Sequence, residues 1–174
     1  QAGIIPFKAV TTLPHSREEI LKVLTHHEEK KDWAPKLKSV RVHRAINSNS
    51  YIFSEYYQTP WPATDREFLL LGEVIFKNRD TLILSAESIV DDEYADQSHI
   101  QCDISYIDFI IQRLGKNQSR ITFEFLGNMK GWMPAWLINI IQKKWPLRFL
   151  QSLKERLQNT GPEASDIYKQ LDRR

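Results

Sequence analysis

From Leu37 onward the apolar residues of this chain change their period once, and the change falls at Gly131. From Leu37 to Phe125 the sequence is mostly of β type. Segments near 37 to 46, 50 to 58, 67 to 77, 80 to 89, 98 to 113 and 119 to 127 carry β-branched and aromatic residues. Between them stand the turn-forming stretches Asn47-Ser48-Asn49, Trp61-Pro62, Asn78-Arg79-Asp80, the polar run Asp91 to Ser98, and Gly115-Lys116-Asn117. Connections this short favour antiparallel pairing of neighbours. After Gly131 the period is helical, with Pro134 suited to a first turn and Leu137, Ile141, Trp145, Phe149, Leu153 and Leu157 recurring every four residues. A sheet of about seven strands has one face to cover, and a single long one-faced helix is the available cover.

Upstream, residues 4 to 13 read as a strand that ends at Pro14, because proline cannot donate to a ladder. Ser16-Arg17-Glu18-Glu19 has the spacing of a capping box, and Ile20, Leu21, Val23 and Leu24 form a stripe running to about His27. Trp33-Ala34-Pro35 then interrupts any regular element before the β region begins. The class is α+β, in one domain over residues 1–159 without repeats or an internal linker. From Thr160 to Arg174 the stripe is lost, which predicts a loose C-terminal extension.

Composition narrows the function. The 174 residues are 41% hydrophobic and 26% charged, as in an ordinary globular domain. The net charge of +2 is spread along the chain, so nucleic acid is not an expected partner. No apolar stretch reaches the roughly 18 to 20 residues of a membrane span, which predicts a soluble protein, expected to be monomeric. The chain begins at Gln1, from which removal of an upstream segment is expected. The compartment is left open, cytoplasmic or, after loss of a signal, periplasmic or secreted.

Chemistry is thin. Cys102 alternates with Ile100 and Ile104, the pattern of a small core residue more than of a nucleophile. His26-His27-Glu28-Glu29 lacks the i, i+4 geometry of a zinc helix and reads as a solvated helix end. Glu55, Asp65, Arg66 and Glu67 invite an acid/base reading. Asp65-Arg66 reads as fixing its turn, and Glu55 as either a cavity polar group or a surface residue. There is no Gly-rich phosphate loop, no Gly-x-Ser-x-Gly elbow and no supporting Cys/His spacing, so no catalytic residue, metal or cofactor is expected.

Two segments frame the β region: Pro60-Trp61-Pro62-Ala63-Thr64-Asp65-Arg66-Glu67-Phe68 and Gly131-Trp132-Met133-Pro134-Ala135-Trp136-Leu137-Ile138-Asn139. Both resemble signatures of the START family, the steroidogenic acute regulatory protein-related lipid-transfer domains. So do the upstream "PFKAV" strand and "DWAPKLKSVRV". The resemblance runs from about Phe7 to about Leu157. It implies a helix-grip fold, a curved antiparallel sheet around the C-terminal helix, enclosing a tunnel for one lipid or sterol. The family also carries a helix and a strand before the "PFKAV" position, for which this chain begins too late. Many members place an arginine on the strand after the "DREF"-like turn, facing the cavity, where this chain has Leu69-Leu70-Leu71-Gly72.

Lipid carriage makes a physical demand. Burying a sixteen-carbon chain gains on the order of 12 kcal/mol over water, and a bilayer offers nearly the same. The carrier therefore needs a dry apolar interior more than strong polar contacts. Alternation gives the candidate inward residues: Ile121, Phe123 and Phe125; Ile100, Cys102 and Ile104; Leu82, Leu84 and Ala86; and Trp136, Ile140 and Phe149 from the helix. Each either lines a cavity or fills a solid core. Pro146 marks either a hinge or a static bend in the last helix. Trp61 and Trp132, in turns, are candidates for a transient peripheral membrane contact as well as for packing. Two functions stay open: a non-catalytic carrier of lipid or sterol with the C-terminal helix as lid, and a polyketide cyclase or aromatase on the same kind of fold. The second would use Glu55 and Tyr57 to move protons.

Overall fold

A computed structural model describes residues 3–159. Its strands are β1 (Ile4–Leu13), β2 (Leu37–Asn47), β3 (Ser50–Tyr57), β4 (Arg66–Phe76), β5 (Thr81–Ser88), β6 (Ile100–Gln101), β7 (Asp103–Gly115) and β8 (Gln118–Asn128). The helices are α1 (Arg17–Thr25), α2 (His27–Trp33), α3 (Ala135–Lys143) and α4 (Trp145–Asn159). Seven strands form one antiparallel sheet in the order β1-β8-β7-β5-β4-β3-β2. β1 pairs with β8 along its whole length, from Ile4 opposite Asn128 to Leu13 opposite Ser119. The two-residue β6 departs from the antiparallel expectation and lies parallel to the start of β4, Arg66 opposite Ile100.

Alternation decides which face is packed. Phe109 on β7 and Phe123 and Phe125 on β8 are buried, and the Phe109 and Phe123 rings stack at 4.4 Å. α4 presses Phe149, Leu150, Leu153 and Leu157 onto this face, with the Phe149 ring 5.0 Å from Phe123. The predicted segment boundaries agree with the observed strands to within about two residues, except that the segment near 98 to 113 is divided at Cys102 into β6 and β7.

The helices depart from the sequence reading in two places. The Ser16 hydroxyl accepts the Glu19 backbone N–H at 3.2 Å, as expected of an N-cap, but the Glu19 carboxylate turns to His15. α1 then stops at Thr25, and the charged stretch His27–Trp33 forms a second helix that its polar composition concealed. At the other end, the single long helix is two. Lys144 ends α3 with its N–H on the Ile140 carbonyl at 2.8 Å, and Pro146, in the first turn of α4, has no N–H to offer the Gln142 carbonyl. The stripe of apolar residues continues through the break, which is why its period suggested one element.

Gly131 fixes the approach to α3. It holds φ +63°, and a Cβ there would lie 2.5 Å from the Ile100 Cδ1, so both backbone and space demand glycine. Thr160 to Arg174, the expected extension, lies outside the described residues.

Candidate functional site

Between the sheet and the two C-terminal helices lies a chamber of about 530 Å³. Tyr57, Phe68 and Met129 form its sheet side, and Leu137, Ile140, Ile141 and Trp145 its helix side. Three charged residues belong to its lining, Lys36, Arg66 and Arg148, and all are cations. Lys36 and Arg148 are exposed. This volume is in the range that accepts a small organic ligand.

Arg66 is buried and holds the chamber's frame together. Its guanidinium donates to the carbonyls of Thr64, Met129 (3.2 Å), Lys130 (2.7 Å) and Trp132 (3.2 Å). Its neighbour Asp65 pairs with Lys38 at 2.7 Å and accepts the Thr59 N–H at 2.8 Å. The expectation that these two residues fix the turn therefore holds, and Arg66 does more, tying the turn to the entry of α3. Trp61–Pro62 in the same turn is a cis peptide.

Deeper in the sheet a second void of about 30 Å³, the room of one water molecule, surrounds a buried polar group. Glu55, on β3, is 3% exposed and forms an ion pair with Lys30 of α2, itself buried. The Tyr57 hydroxyl donates to the other Glu55 oxygen at 2.6 Å. Burial pushes the Glu55 carboxyl up, but the Lys30 charge and the two hydrogen bonds outweigh it and hold the group below its ordinary range. Burial and the Glu55 charge drive the Tyr57 hydroxyl well above 10. His27 also lines this void. Burial first, then the neighbouring Lys30, lowers its pKa from 6.5 to about 4, and its Nδ1 has no hydrogen-bond partner. His27 is thus not part of a solvated helix end. Its ring packs on Tyr51 and Phe53, 4.8 and 5.2 Å away, because α2 turns this side inward.

The arginine that the family resemblance implies after the "DREF" turn is replaced here in a particular way. A Cβ on Gly72 would meet the Phe53 ring at 2.8 Å, so that space is filled by an aromatic from β3. The cation beside Glu55 comes from α2 instead. Sequence reasoning missed Lys30 because a lysine in a charged helical stretch looks solvated, and its partner lies 25 residues on.

The nine cavity candidates divide. Glu55, Leu84, Phe123 and Phe149 line the deep void, and Ile140 lines the large chamber. Cys102, Ile104 and Phe125 are buried in the packed core. The Cys102 thiol, pushed up by burial to about 12, sits 3.5 Å from the Met129 carbonyl. Trp136 is a correction: it is 51% exposed. It shares a helical side with Ile140 one turn on, but it lies in the first turn of α3, where that side is open to solvent. Glu67 does not join Glu55 either. On the opposite face of the sheet, it accepts the Asp96 N–H at 2.8 Å and anchors the segment between β5 and β6.

The sequence matches the START domain family over residues 1–163. The chain belongs to the START family. Its helix-grip fold is shared with solved structures of low sequence identity. Human STARD10 superposes with a TM-score of 0.80 at 16% identity, covering 91% of this chain and 71% of that one. The STAR-related lipid transfer protein of Xanthomonas axonopodis (fragment 25–204) gives 0.74 at 16% identity, covering 91% and 95%. Zhui aromatase/cyclase from Streptomyces sp. R1128 gives 0.61 at 8% identity, covering 90% and 94%. A search among curated proteins returned no match. Among the described residues of this START domain, no helix is long and apolar enough to cross a membrane.

Proposed function

We propose that this START domain is a non-catalytic carrier that holds one lipid or sterol in the chamber beneath α3 and α4, with those helices as its lid. The chamber itself carries the reading: about 530 Å³ walled mainly by aliphatic, aromatic and methionine side chains, with no carboxylate among the described residues of its lining. The lipid-transfer name of one structural relative, the Xanthomonas axonopodis protein, supports the same reading.

The carrier has to meet a membrane, and the rim supports that contact. Trp61, Trp132, Trp136 and Leu147 are 88, 64, 51 and 64% exposed, and each is the chain neighbour of a chamber-lining residue. Indole rings favour the headgroup region, where an apolar body and a polar N–H are both accommodated. We read these residues as the surface through which ligand enters and leaves.

The cyclase reading would draw on Glu55 and Tyr57. Both are engaged with each other and Glu55 also with Lys30, beside a void of only about 30 Å³, too small for a polyketide, which favours a structural role. Organic extraction of the protein purified from cells, followed by mass spectrometry, tests the proposal. A lipid or sterol in about molar amount is the expected result. An aromatic polyketide in its place would overturn it.

A further inference from the structure

We propose that Trp145 is a partition that fixes how deep a ligand reaches, so that this one ring sets the longest chain the domain accepts. The inference rests on the chamber being the lipid site.

Two side chains, Tyr57 and Trp145, line both the large chamber and the small void around Glu55. Tyr57 is pinned, since it belongs to β3 and its hydroxyl is bonded to Glu55 at 2.6 Å. Trp145 is held differently. It is the first residue of α4, directly after Lys144, where α3 ends, and directly before Pro146, which contributes no backbone N–H. Its indole N–H reaches the Pro35 carbonyl at 3.4 Å, a long bond. The rest of its contact is apolar: Phe7 at 5.6 Å, Phe123 at 5.8 Å and Tyr57 at 5.9 Å between ring centres. It forms a wall between an apolar room with exposed cations and a small, mainly apolar void in which Lys30 and Glu55 are paired.

A single-chain amphiphile fits this geometry in one direction. Its polar end stays beside Lys36 and Arg148, and its methyl end runs inward until it meets the Trp145 ring. Each methylene added before that point gains affinity, and each added after it gains nothing, because the ring closes the way to the small void beyond. Removing the ring would join the two spaces.

Straight-chain fatty acids of ten to twenty carbons, displacing a fluorescent naphthalene sulfonate probe, test this directly. With the wild-type protein, affinity is expected to rise about fourfold per methylene and then level at one chain length. With Trp145→Ala the rise should continue past that length. Trp145→Leu, which keeps an apolar side chain and guards against misfolding, should shift the plateau by a smaller amount. A plateau at the wild-type length in a folded variant overturns the partition and leaves the carrier reading standing. Binding of no member of the series by the wild-type protein overturns the partition as a limit on chain length and leaves the carrier reading to the sterol and phospholipid test.

Discussion

The Arg66 guanidinium lies 2.7 Å from the Lys130 carbonyl, although 64 residues separate them. The contact joins the two signature segments, so the turn into β4 and the turn into α3 are one structural unit. Arg66→Met would leave the carbonyls of Met129, Lys130 and Trp132 without their donor in a buried place. The expected cost is about 2–4 kcal/mol, together with faster amide exchange at the start of α3. Denaturant melts with hydrogen exchange check both, and unchanged exchange in α3 would count against the coupling.

Lys30 and Glu55 are expected to behave as a pair. Removing one charge strands the other, so Lys30→Met should destabilise by about 3–5 kcal/mol. The double variant Lys30→Met, Glu55→Leu should recover much of that loss. A double-mutant cycle measures the coupling, and additive losses would show that the two residues do not depend on each other.

Acid should destabilise the fold through His27. Its pKa is 6.5 ordinarily and about 4 when folded. Between those values the unfolded chain binds the proton and the folded one does not, so stability is whole above pH 6.5 and falls as pH drops toward 4. The loss amounts to about 3 kcal/mol. Glu55 adds a loss of the same sign at lower pH, since its folded pKa is depressed. Melting temperatures from pH 8 to 4 should show the slope, and His27→Phe should flatten its upper part.

The exposed rim should matter for membranes and hardly at all for folding. Replacing Trp61, Trp132 and Trp136 together by serine is expected to change stability by no more than about 0.5 kcal/mol per site. Sedimentation with phosphatidylcholine vesicles should fall severalfold. Equal sedimentation of variant and wild type would remove these residues from the docking surface.

These features were unequally legible in the sequence. The strands were, because alternation is local: Ile121, Phe123 and Phe125 announce an inward face without any knowledge of their partners. Ser16 announced its cap for the same reason. Lys30 did not, since its burial is set by Glu55 across the fold, and a charged helix turn carries no sign of that. Trp136 misled because apolar character alone does not fix a helical face. Its place in the first turn of α3, beyond what covers Ile140 one turn on, leaves it exposed. The break at Lys144 was half legible, Pro146 marking it while the period of four ran through it.

The chamber under α3 and α4 is proposed to hold one lipid. Native mass spectrometry of the delipidated protein, after incubation with vesicles of phosphatidylcholine and cholesterol, measures this most directly. A single lipid adduct per chain is expected, lost when Ile140→Trp obstructs the chamber of a variant that still folds. No adduct with either lipid, or an adduct that persists in the folded Ile140→Trp protein, would contradict it.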